Sequence, residues 1–130
     1  MSATQPAIQI RLTDGPSGRA ARARVAAATE WSAPDLVDLE TVSVLRRRWR
    51  AGDLKARRFR SAVLDLLSLP IVRFPTGPLM IRAYELRSNV TPYDASYVAL
   101  AEGLSCPLVS ADARLARVPG IRCHVDILVF

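Results

Sequence analysis

At 130 residues, half of them hydrophobic, the chain has the size of one domain with a real core and is too apolar to remain disordered. No apolar run reaches the ~18 residues of a membrane span, and the N-terminus, MSATQPAIQIRLTDG, lacks a charged segment followed by a long apolar stretch. A soluble cytoplasmic protein is therefore the expectation. The net charge is +6, and all but Lys55 of the 18 basic residues are arginine, a surplus that favours a polyanion such as RNA or DNA, or an acidic protein.

Taken in chain order, the segments alternate in character. Asp14-Gly15-Pro16-Ser17-Gly18 reads as a turn, and Gly18 to Ala28 as an Ala/Arg-rich helix with an arginine face. Glu30 to Ala33 reads as a short extended piece. Pro34 suits the first turn of a helix, whose apolar face is predicted to carry Leu36, Leu39, Val42 and Leu45. Gly52 ends that helix, and Asp53 is the expected N-cap of the next, Leu54 to Leu69, with Phe59, Val63, Leu66 and Leu67 at helical spacing. Ile71 to Phe74 is β-branched and aromatic and reads as a strand. Leu79 to Arg87 is helical again. Thr91-Pro92-Tyr93-Asp94 opens a helix through Leu104 that is apolar on nearly every side, hence buried. Pro107 to Ser110 is a short apolar strand, Asp112 to Arg117 a small helix or turn, and Ile121 to Leu128 a last strand. Helices between short strands point to a single α/β domain with a mainly parallel sheet and helices on both faces. Such sheets bind ligands at the C-terminal ends of their strands.

Three acids stand where chemistry is plausible. Glu40 lies inside the apolar helical stretch LVDLETVSVL, Asp94 in the first turn of the most apolar helix, and Asp112 just after the strand PLVSA. Taken singly, each also has an ordinary role: an exposed helical Glu, an acid matched to a helix dipole, and a cap. Together they could meet at one end of the sheet. Clustered carboxylates repel unless a cation neutralises them, and hard divalent ions choose oxygen ligands.

Other chemistries find less support. Neither GxGxxG nor GxxxxGK[ST] occurs, so no phosphate-cradling loop is expected. Cys106 and Cys123 have no CxxC partner and read as reduced thiols. His124, the one histidine, reads as a surface or edge side chain, which disfavours Ser/His/Asp or Cys/His catalysis. No aromatic strand suggests an RRM.

Two segments carry a resemblance. SAPDLVDLETVSVLRRRWRAG resembles a stretch in which a helical Glu follows a Pro-x-Leu opening, and LRSNVTPYDASYVALAEGLSCPLVSADARLARVPG closely resembles the C-terminal half of the VapC toxins. There, a helix beginning Tyr-Asp-Ala precedes a short strand and a Thr/Ser-x-Asp-x-x-Leu turn. The likeness runs from about Gly15 to Leu128. It implies a PIN-like three-layer α/β/α domain and an endoribonuclease dependent on Mg²⁺ or Mn²⁺. It also implies an RNA substrate, a cognate antitoxin that restrains the enzyme, and a homodimer. Glu40, Asp94 and Asp112 match the family's metal-ligand positions, Ser110 matches a hydroxyl that lines the same site, and Arg114 is placed at the rim. The helices on either side of Gly52 would form an antitoxin groove, with Leu45, Trp49, Leu54 and Phe59 as contacts or as plain core.

One departure stands out. The family begins with a hydrophobic strand ending in Asp, whereas here no acid precedes Asp14. That strand and its carboxylate are expected to be missing, through a misplaced start or decay of the gene. A third explanation, ranked last, has Ala7 to Leu12 standing in as the first strand with Asp14 near the site. On the first two, metal binding would be weak and cleavage reduced or lost, leaving a PIN remnant that still binds antitoxin or RNA.

Overall fold

The computed structural model describes residues 7–9 and 31–128; the expected Ala/Arg-rich helix and Asp14 lie outside them. The elements are β1 (Ala7–Gln9), β2 (Trp31–Pro34), α1 (Leu36–Ala51), α2 (Ala56–Ser68), β3 (Ile71–Phe74), α3 (Met80–Glu85), α4 (Pro92–Leu104), β4 (Leu108–Ser110) and β5 (Val125–Ile127). A 3₁₀ turn over Gly77–Leu79 leads into α3, and another over Ala113–Arg117 follows β4.

The strands form one sheet in the order β3-β2-β1-β4-β5, with every pairing parallel. The expectation that the first strand is missing is therefore overturned. Ala7–Gln9 occupies the centre of the sheet, pairing with β2 at Ser32 and with β4 from Leu108 to Ser110. The last-ranked explanation holds for the strand. The reason is positional: a central parallel strand is satisfied by ladder bonds on both sides, so three residues suffice where the neighbours supply the rest.

Parallel crossovers are right-handed. The α1–α2 connection runs from β2 outward to β3, while α4 leads back from β3 to β4, so these helices lie on opposite faces and make three layers. β2 and β4 are buried along their whole lengths, as parallel strands covered on both faces must be. Trp31, Val98, Leu108 and Val109 are fully buried at the centre. In α4, seven consecutive residues from Ala95 to Ala101 are buried, as its apolar surround predicts. Ser96 is tolerated there because its hydroxyl donates to the Tyr93 carbonyl at 2.6 Å.

Several boundaries and faces differ from expectation. Pro34 ends β2, and Asp35 occupies the N-cap position of α1. Asp53 does not cap α2; Lys55 precedes it, with no side-chain cap. The buried face of α1 is Val37, Thr41 and Leu45, while Leu39 is 71% exposed. Steps of four residues drift by only ~40° around a helix, whereas three successive steps of three accumulate about half a turn, which separates Leu36 from Leu45. In α2 only Leu66 is buried; Phe59 and Val63 are half-buried and Leu67 is exposed, because α2 packs on α1 rather than on the sheet. The final strand is limited to Val125–Ile127.

Gly52 does end α1. Its φ of 88° lies in the left-handed region, its N–H bonds the Trp49 carbonyl at 3.1 Å, and the Asp53 N–H bonds that of Arg48 at 3.0 Å, which turns the chain back into α2.

Two arginine clamps tie the elements together, one from strand to helix and one between helices. Arg73 on β3 donates to both Asp38 oxygens of α1 (3.0–3.3 Å) and to the carbonyls of Leu66 and Ile71. Arg82 on α3 donates to Glu102 of α4 at 2.7 and 3.2 Å and to the Gly120 carbonyl, while the Arg122 N–H also donates to Glu102. Burial pushes the Glu102 carboxyl up, but these donors outweigh it and hold it below the ordinary range.

Candidate active site

The strand order reverses at β1. From β1 the chain moves to β2 and β3 on one side, then crosses to β4 on the other, so the C-terminal ends of β1 and β4 flank a topological switch point. The last register pair there is Gln9 with Ser110. The topology delivers the three acids to this edge. α1 starts where β2 ends, so Glu40 lies in its second turn. α4 runs back toward the start of β4, so its first turn, with Asp94, also stands at the C-terminal edge. Asp112 follows β4 directly.

Each acid is held differently. The Ser110 hydroxyl, 1% exposed, accepts the Asp112 backbone N–H at 3.0 Å and fixes the exit from β4. Asp112 Oδ1 accepts the Arg114 backbone N–H and Nε, both at 3.0 Å, and Oδ2 accepts Nη2 at 2.9 Å. Asp112 thus caps the following 3₁₀ turn and forms a bidentate ion pair. The Arg114 guanidinium holds the Asp112 carboxyl below its usual range against a smaller upward push from burial. Asp94 is half-buried, and its backbone N–H donates to the capping hydroxyl of Thr91 at 3.3 Å. Glu40 Oε1 accepts the Tyr97 hydroxyl at 2.8 Å.

Tyr97 is the residue that sequence reasoning missed. It is 2% exposed and lies one turn after Asp94 on α4, so it bridges α4 to Glu40 on α1. Burial first, and then the Glu40 charge with smaller contributions from Asp94 and Asp38, push the phenol far above its ordinary value. It therefore remains a neutral donor that fixes the Glu40 carboxylate. Its spacing of three from Asp94 was the available signal. We expect Tyr97→Phe to lower stability by about 1.5–3 kcal/mol in urea unfolding, the range for a hydrogen bond to a charged group. An unchanged midpoint would show that this bond contributes nothing.

The donor set suits a hard divalent cation in kind, because carboxylate and hydroxyl oxygens are the ligands such ions select. It is not a closed cage: among the described residues, no three His, Cys, Asp or Glu side chains converge to hold an ion. Mg²⁺ takes few carboxylates and keeps several waters, so an open edge is compatible with it. The thiols lie elsewhere. Cys106 is buried, Cys123 is half-buried with its thiol pushed up to about 11 mainly by burial, and neither is in a disulfide. Both line a pocket with His124 beside the start of β4 and β5, the opposite end of the sheet from the acids.

Residues 7–121 match the family described as PIN domain, and the chain belongs to it. It is 41% identical to Ribonuclease VapC9 of Mycobacterium tuberculosis over 102 residues, covering 78% of this chain and 80% of that one. It is 36% identical to Ribonuclease VapC12 of the same species over 122 residues, covering 94% and 93%. It is 40% identical to Ribonuclease VapC1, also from that species, over 98 residues, covering 75% and 74%. The fold is similar to the crystal structure of PAE2754 from Pyrobaculum aerophilum, with a TM-score of 0.63 over 95% of this chain and 84% of that one, at 23% identity.

Proposed function

We propose that this chain is a VapC-type toxin, a metal-dependent endoribonuclease that acts on RNA in the cytoplasm and is restrained by a cognate antitoxin. The observation that carries the reading is the delivery of Glu40, Asp94 and Asp112 to one sheet edge at the switch point, in a chain whose relatives bear the name ribonuclease. Those three carboxylates would hold Mg²⁺ or Mn²⁺, with Arg114 ion-paired to Asp112 beside them. A bound ion of this kind supplies Lewis acidity toward the phosphodiester and lowers the pKa of a water. Tyr97 keeps Glu40 oriented, Ser110 keeps the Asp112 backbone in place, and Thr91 fixes the start of α4. None of the described helices is long and apolar enough to cross a membrane.

Two surface regions support the partner reading. Met80, Ile81, Tyr84 and Tyr93 are exposed large side chains on α3 and the start of α4 and would suit contact with a second copy, the homodimer reading. For the antitoxin, Trp49 is 46% exposed, Leu54 and Phe59 are half-buried, and Leu45 belongs to the core.

The test is cleavage of a pooled tRNA and rRNA substrate by the purified chain with Mg²⁺ or Mn²⁺, and with EDTA. Cleavage that requires the ion is the expected result. Cleavage surviving EDTA would remove the metal from the reading. No cleavage under any condition would leave a PIN domain that binds RNA or antitoxin without cutting.

A further inference from the structure

The positive charge of this chain is concentrated in one place. Residues 46–60, RRRWRAGDLKARRFR, hold eight basic side chains against the single acid Asp53. The local surplus exceeds the +6 of the whole chain, so the remainder is close to neutral. The segment is the tip of the α1–α2 hairpin, where Gly52 turns one basic stretch back beside the other.

Ordinary helix electrostatics explain part of this and fail for the rest. Arg48 and Arg50 lie in the last turn of α1, where cations complement the helix dipole. Lys55, Arg57 and Arg58 lie at the start of α2, where the dipole favours anions, and its first turn has no acid. Crowded like charges at the wrong end of a helix destabilise the free protein unless an anion offsets them. Among the described residues, no carboxylate pairs with Arg46, Arg47, Arg50, Arg57, Arg58 or Arg60, and all six are exposed. Between the two stretches stands Trp49, 46% exposed, with its ring 6.5 Å from that of Phe59. Unpaired arginines around an exposed aromatic platform match the needs of a nucleic-acid backbone with bases available for stacking.

We propose that the tip of the α1–α2 hairpin is an RNA-backbone docking surface, distinct from the carboxylate edge and engaging the same RNA molecule at a distance from it. Ten residues of α1 separate Glu40 from Arg50, about 15 Å along the helix axis. RNA held at the tip therefore has to span several nucleotides to reach the acids, which selects for structured or extended substrates over short oligonucleotides. The proposal rests on the reading of RNA as substrate.

The test uses the whole chain in EDTA, so that binding is seen without metal-dependent cleavage. A fluorescein-labelled tRNA pool is titrated by anisotropy over a salt series, with wild type, the triple variants R46Q/R47Q/R50Q and R57Q/R58Q/R60Q, and Arg87→Gln in the turn after α3 as the control. Because the substituted side chains are exposed and carry like charges, neither triple variant should melt below wild type. Each triple variant is expected to weaken binding by about tenfold or more and to reduce the log–log salt slope by about 2–3, the value for three lost phosphate contacts. RNA should also quench Trp49 fluorescence, while Trp31, fully buried, stays constant; the quench should vanish in Trp49→Phe. Wild-type affinity and slope in both triple variants would overturn the docking surface, would point to an acidic protein as occupant, and would leave the nuclease reading intact. An equal loss in Arg87→Gln would overturn the localisation to the hairpin. A wild-type chain that does not bind RNA would overturn both this surface and the substrate reading.

Discussion

Asp94→Asn is expected to lower the rate of RNA cleavage by about 100- to 1,000-fold, the scale seen when one preorganised electrostatic contributor is removed from an active site. The substitution is nearly isosteric. Thr91 bonds the backbone N–H of residue 94, so the helix cap does not depend on the carboxylate. Removing the charge from the first turn costs the helix roughly 0.3–1 kcal/mol. Structure and stability should therefore persist while the negative charge at the switch-point edge falls by one. Initial rates in Mn²⁺ and a thermal melt, measured side by side, separate the two effects. A full rate in Asp94→Asn would remove this residue from the chemistry and leave Glu40 and Asp112 to be tested in its place.

Trp31→Ala is expected to have the largest effect on stability, about 3–5 kcal/mol, as for other large aromatics deleted from cores. Trp31 is fully exposed to neither face: it is 0% accessible, pairs in register with Ile71, and lies at the head of β2 inside the main core cluster. A domain of this kind is stable by only ~5–15 kcal/mol, so the variant is expected to be largely unfolded at moderate urea. The urea midpoint by circular dichroism is the measurement. A shift worth less than 1 kcal/mol would mean that the neighbours collapse into the space, and that the centre of the sheet is less closely packed than its burial implies.

How much of this was legible in the sequence depended on how local each signal was. The places of the three acids in the fold were legible because each follows a boundary marked by residue type: a Pro before α1, Thr-Pro before α4, an apolar strand before Asp112. The buried character of α4 was legible because it lacks a polar face. The first strand was legible only as the last-ranked alternative, because AIQIRL lacks the acid that ends the family's first strand. Its position depends on pairing with Leu108 to Ser110, far away in the chain. The phase of α1 was misjudged because spacings of three and four both recur among its apolar residues, and only contact with β2 chooses between them. The Tyr97–Glu40 bond spans 57 residues and leaves no local pattern. The Asp112–Arg114 pair is the opposite case, two residues apart, and its ion pair could be anticipated from spacing alone.

The central place of β1 has a consequence for biosynthesis. Its partner on one side, β4, is made about 100 residues later, so at ~5–20 residues per second β1 waits roughly 5–20 s for that neighbour. The crevice between them, with Ser110 at its lip and Asp112 beyond, cannot assemble while the ribosome still holds the second half of the chain. A nascent copy thus cannot present the carboxylate edge until β4 has emerged to pair with β1.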